Sequence, residues 1–182
     1  IFSYHKDVYG WSQLYDQEWV GHDQEVFQPY WLEPRRLKEF DWTQSQYYVT
    51  SISCPFVLNK KFAWPKYHTF IKHAKKYTNV KVAILGRDKN ILKHQQLRVR
   101  KGKHTAIVAL QNLALINDPF YISQELFFLY GIKYIKSLSK QLDFPISTGT
   151  YVESLLQFEA NGKYVKHAKK GRFDNYQFKI NY

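Results

Sequence analysis

Between residues 60 and 104 the chain carries 14 Lys or Arg and a single acid, Asp88. A run this one-sided cannot be neutralised from within. Elements that form there must turn basic side chains outward and bury only the apolar positions between them. What precedes it is different in kind. Residues 1–58 hold 4 basic and 8 acidic side chains, net −4, whereas residues 59–182 hold 23 and 7, net +16. The charge is therefore a contrast between two parts of one chain, and it implies a polyanionic partner for the basic part.

Other bulk quantities bound the fold. The length of 182 residues suits one ordinary domain or two small ones, and an apolar share of 45% supports a packed core. The lone Cys54 excludes an internal disulfide framework and a multi-Cys zinc site, and it fits a reducing compartment. The longest apolar-rich stretch, residues 105–116, contains Gln111 and Asn112 and falls short of a membrane span of roughly 18–20 residues. No signal peptide is read. The chain opens at Ile1 and has no Met. An upstream segment is therefore expected to have been removed, either as an organelle-targeting peptide, mitochondrial for example, or by shortening. An intracellular setting is expected.

Aromatic residues reach 18%, and they crowd the first part. Tyr4, Tyr9, Trp11, Tyr15, Trp19, Phe27, Tyr30, Trp31, Phe40 and Trp42 recur there without a period, and Pro29 and Pro34 discourage a long helix. Such rings stay ordered only by pressing on another surface, that of their own domain or of a partner. Pro34 is expected to open one short helix that runs to Phe40.

Residues 47–53 read as a strand ended by Cys54-Pro55. A helix is expected over residues 65–77, with Tyr67, Phe70, Ile71, Ala74 and Tyr77 on one face and Lys66, Lys72, Lys75 and Lys76 on the other. Residues 80–85 read as a buried strand closed by a turn-rich loop at residues 86–90. Leu97-Arg-Val-Arg alternates like a half-exposed strand, and Lys101-Gly102-Lys103 reads as a tight turn. Residues 105–117 carry a helix-compatible pattern, with a β-branched start that also suits a strand.

In the last part, Asp118-Pro119 suits a helix start, predicting a helix over residues 119–130 that Gly131 interrupts. Ile132, Ile135, Leu138 and Leu142 then fall at helical spacing. Ser147 or Thr148 caps a further helix to Ala160, stopped by Asn161-Gly162. Residues 163–180 read as a hairpin with a basic tip. This order of helix, turn, helix and basic hairpin is similar to a winged helix. The resemblance covers about 60 residues and implies a recognition helix offering Thr148, Thr150, Tyr151 and Gln157, with Lys166, Lys169, Lys170 and Arg172 on phosphates. That helix departs from the pattern in carrying Glu153 and Glu159 and no Lys or Arg.

The expected fold class is thus α+β: a small mixed α/β layer followed by a helical, winged-helix-like C-terminal part, with an irregular aromatic-rich N-terminal arm. The expected division is 1–48, an acidic aromatic extension; 49–117, a basic α/β part; and 118–182, helices and a basic hairpin. The candidate nucleic-acid-binding residues are Lys60, Lys61, Lys66, Lys72, Lys75, Lys76, Arg87, Lys89, Arg98, Arg100, Lys101, Lys103, Lys166, Lys169, Lys170 and Arg172. Phe62, Trp64 and Tyr67 are the rings placed to stack on unpaired bases.

Catalytic readings are weaker. Residues 80–88 look like the strand and turn of a nucleotide-binding unit, but offer one Gly, Gly86, where a phosphate-cradling loop needs several. His68, His73, His94 and His104 lack metal-ligand spacing, and Cys54 has no His assigned to activate it. No catalytic residue, metal or cofactor is expected. Nor is a membrane partner, since no helix reads as Lys-rich on one face and Trp- or Leu-rich on the other. The expected function is non-enzymatic nucleic-acid binding: RNA, within a ribosome-like ribonucleoprotein particle, with protein neighbours meeting the aromatic arm. The alternatives are a winged-helix DNA-binding regulator or replication protein, and a nucleic-acid-processing enzyme.

Overall fold

A computed structural model describes residues 5, 7–10, 26–100 and 105–146. They form a mixed α+β arrangement of short helices and three two-stranded sheets. The first sheet pairs β1 (Val8–Gly10) with β2 (Tyr47–Val49) in parallel. Gly10 ends β1 at φ 134°, and a Cβ there would drive into the Val49 carbonyl, so only glycine fits the close approach. Between the two strands come α1 (Gln28–Leu32) and a 3-10 helix (Pro34–Glu39), each opened by a proline in its first turn. The second helix is the one expected from Pro34.

A hairpin not expected from the sequence follows, β3 (Phe56–Leu58) antiparallel to β4 (Lys61–Ala63). Leu58 pairs with Lys61, which leaves Asn59 and Lys60 as a two-residue turn, both left-handed at φ 49° and 63°. That is the geometry of a primed hairpin turn. The chain then enters α2 (Tyr67–Ala74), where Tyr67, Phe70 and Ala74 are buried as the helical spacing requires.

Rings from the N-terminal part meet this face. Trp31 stacks on Phe70 at 3.8 Å and 11°, and its indole N–H donates to Thr50 Oγ1 at 3.0 Å. Phe40 sits among Phe27, Trp42 and Tyr48 at centroid distances of 4.8, 4.8 and 5.6 Å. With Leu37 and Ile116 these residues form the first core. The rings from Phe27 to Tyr48 are therefore core of their own domain, and the core reaches across residue 48 into α2.

The third sheet pairs β5 (Ala83–Gly86) with β6 (Phe120–Ser123) in parallel, Ala83 opposite Phe120. Parallel strands need a crossover, and it is supplied by α3 (Lys89–Arg100) and α4 (Ala106–Leu113). After β6 the chain forms α5 (Gln124–Tyr130) and α6 (Ile132–Leu142). Leu138 and Leu142 on α6 join Ile122 in the second core, and Ile135 on the same helix is fully buried. Tyr47 meets Phe144 edge-on at 5.4 Å, linking β2 to the segment after α6.

Several local expectations are corrected. Leu97 to Arg100 is the last turn of α3, not a strand, and α3 starts where a loop was expected. Asp88 accounts for the start, because its Oδ1 accepts from the Ile91 N–H at 3.1 Å and caps the helix. Residues 120–123 are strand, not helix. The helix begins only after Ser123, whose hydroxyl accepts from the Leu126 N–H. β5 is not buried throughout, since Leu85 is 75% exposed. The winged-helix elements beyond residue 146, both the helix from Ser147 and the basic hairpin, lie outside the described residues.

Candidate nucleic-acid interface

Helix α2 assembles the clearest basic surface. Burial of Tyr67, Phe70 and Ala74 fixes its rotation, so Lys66, Lys72, Lys75 and Lys76 are exposed together. The 3-10 helix packs beside α2 and adds Arg35. His73 senses the result: partial burial first, then the charges of Lys76, Arg35 and Lys72, push its pKa below the ordinary histidine value. None of these lysines has a carboxylate partner among the described residues. The ion pairs found there are His5 with Asp7 and Arg36 with Glu33 and Glu39, all in the acidic part of the chain.

Beside this face lies a groove of about 380 Å³, between α2 and the segment joining α4 to β6. His68, Lys72 and Lys75 line its α2 side and Lys81 its β5 side. Ile71, Val80 and Ile116 contribute apolar wall, and Asn117 and Asp118 stand opposite. Asp118 holds a left-handed backbone at φ 45°.

The remaining candidates are dispersed. Lys60 and Lys61 are exposed at the tip of the β3–β4 hairpin, and Lys89 is exposed at the start of α3. Arg87 is half-buried and donates to Gln95 Oε1 at 3.2 Å. Arg98 and Arg100 fall in the last turn of α3. Lys101, Lys103, Lys166, Lys169, Lys170 and Arg172 lie outside the described residues.

The three stacking candidates separate. Trp64 is 38% exposed and Phe62 half-buried, but Tyr67 is 8% exposed and meets Trp31 edge-on at 5.7 Å. Tyr67 is a core residue, because the first position of the buried α2 face has to point inward; it is withdrawn as a stacking ring.

Arg35 and Lys81 are not among the residues expected from the sequence, and neither is a basic row on α6. Lys133, Lys136 and Lys140 are exposed along α6, opposite the buried Ile135, Leu138 and Leu142. Their spacing of three and four residues mirrors the apolar spacing and is a signal the sequence carries. The apolar face of this helix is committed to the second core.

The C-terminal edge of the β5–β6 pair is where an α/β unit would receive a nucleotide. Here a carboxylate occupies it. Glu125 accepts from the Asp88 N–H at 2.6 Å through Oε1 and from the Ser123 hydroxyl at 2.8 Å through Oε2. Partial burial acts to raise its pKa, but the hydrogen bonds from Asp88, its own N–H and Ser123, together with the Arg87 charge, outweigh this and hold the carboxyl below the usual range. With Asp88 capping α3, the position a phosphate would take already carries negative charge.

Among the described residues there is no group of three or more His, Cys, Asp or Glu placed to hold a metal, and no helix long and apolar enough to cross a membrane. No protein-family model, no curated protein and no solved structure matches the chain.

Proposed function

We propose that this chain is a non-enzymatic RNA-binding protein that serves as a structural component of a ribosome-like ribonucleoprotein particle. The observation that carries the reading is the α2 face. Its four lysines are exposed together and have no carboxylate partner among the described residues, while the described ion pairs sit in the acidic part. Uncompensated cations held on and beside one helix attract phosphates and release counterions, a contribution that needs no base sequence. Basic groups on the β3–β4 hairpin and on α6 spread the charge over several elements, which suits the irregular backbone of folded RNA better than the single groove of a DNA duplex. The half-exposed Trp64 supplies a ring for an unpaired base.

The setting proposed is intracellular, with an organellar particle such as a mitochondrial one as a special case. Protein neighbours belong to the proposal for residues 11–25, since the rings from Phe27 to Tyr48 are used internally. The test is what the full chain retains on purification from cells without nuclease treatment. RNA of ribosomal size is expected. Retention of duplex DNA with a sequence preference, or of no nucleic acid at low salt, would overturn the reading.

A further inference from the structure

We infer that the groove between α2 and the segment before β6 holds one unpaired nucleotide of the RNA, and that Asp118 selects for a base with an exocyclic amino group. The inference rests on the RNA-binding reading above and adds a site and a preference to it.

The groove volume of about 380 Å³ lies near the low end of small-molecule sites, roughly 300–1,000 Å³. Its chemistry divides as a nucleotide does. Ile71 and Ile116 offer apolar surface to a base, and Lys72, Lys75 and Lys81 offer ammonium groups to phosphate. Asp118 is the one carboxylate in the lining, and it forms no ion pair with those lysines among the described residues. A free carboxylate opposes phosphate binding unless it gains something in return. An amino group at a base edge provides that, since carboxylates accept from cytosine N4. Uracil presents an acceptor at the same position and would be repelled. Unpaired bases offer this edge freely, which is how RNA is commonly read.

Labelled octamers of cytidine and of uridine, titrated by fluorescence anisotropy in one buffer, test the inference. The cytidine octamer is expected to bind about tenfold tighter. Asp118→Asn should bring the two within about twofold at unchanged salt dependence, because Asn tolerates the left-handed backbone and keeps the exposed site folded. Methyl NMR gives the location: Ile71 and Ile116 signals should move with the cytidine octamer and not with inorganic phosphate. Equal binding of the two octamers, a preference that survives Asp118→Asn, or unmoved methyls would overturn the groove assignment and leave RNA binding standing. Failure of both octamers to bind at low salt would overturn the assignment together with the RNA-binding reading.

Discussion

Lys60 occupies a position that most residues avoid. It is the second residue of a two-residue hairpin turn at φ 63°, where a side chain crowds its own backbone and glycine is preferred. Lys60→Gly is therefore expected to stabilise the fold by about 0.5–1 kcal/mol in denaturant titration. The same change removes an exposed cation and should weaken RNA binding. A parallel loss of stability and affinity would show that the lysine serves the turn and not the surface. His73 gives a second residue-scale reading. Its depressed pKa means that the unfolded chain binds a proton more readily. Its contribution to stability is thus complete above the ordinary value of about 6.5 and is lost as pH falls through the window below it. RNA phosphates near Lys72 and Lys76 would reverse the local field. The His73 ring signal should titrate below about 6.5 in the free protein and move upward when RNA is added. A midpoint that RNA leaves unchanged would place the phosphates elsewhere.

At the scale of elements, α6 sets a packing residue directly beside an exposed cation. Ile135 is fully buried and Lys136 exposed. Ile135→Ala is expected to cost about 2–5 kcal/mol of unfolding free energy. Lys136→Ala should change stability by less than about 0.5 kcal/mol while lowering RNA affinity. The two helices whose faces were legible in the sequence, α2 and α6, repeat apolar positions at helical spacing and have a tertiary partner to bury most of them, although Tyr77 falls beyond α2 and is 42% exposed. The 3-10 helix was legible from Pro34. The β3–β4 hairpin was not, because Asn59 is followed by Lys60 where an Asn-Gly pair would have signalled the turn. The end of α3 imitates a strand because Leu97 to Arg100 alternates over four residues, too few to outweigh a cap, and the cap at Asp88 reads equally well as loop. β6 is hidden because Asp118-Pro119 imitates a helix start, while the cap in use, Ser123, lies inside the stretch expected to be helical. Of the candidate site, the α2 lysines were legible from periodicity alone. Arg35 and Asp118 were not, since they reach the site from distant parts of the chain.

Across the described residues, rings and cations divide the labour. The ring-rich stretch over residues 26–58, whose three basic and three acidic side chains cancel, builds the first core together with α2, and Trp31 meets Tyr67 edge-on and stacks on Phe70. The described aperiodic rings, Phe27, Tyr30, Trp31, Phe40 and Trp42, belong to a core whose members come from separate parts of the chain, which no local pattern can display. The described lysines of the basic part are exposed on the outside of that core and of the second one. Packing beneath α2, with Trp31 against Phe70, fixes the rotation of the helix, and its lysines have no carboxylate partner among the described residues. The central claim is therefore electrostatic, and the dependence of RNA affinity on salt measures it most directly. With Lys72, Lys75 and Lys76 together replaced by Gln, the slope of log affinity against log salt should become shallower by about 2, near 0.7 for each single-strand phosphate that is no longer neutralised. An unchanged slope and affinity in a variant that folds normally would contradict the assignment of α2 as the RNA-binding face.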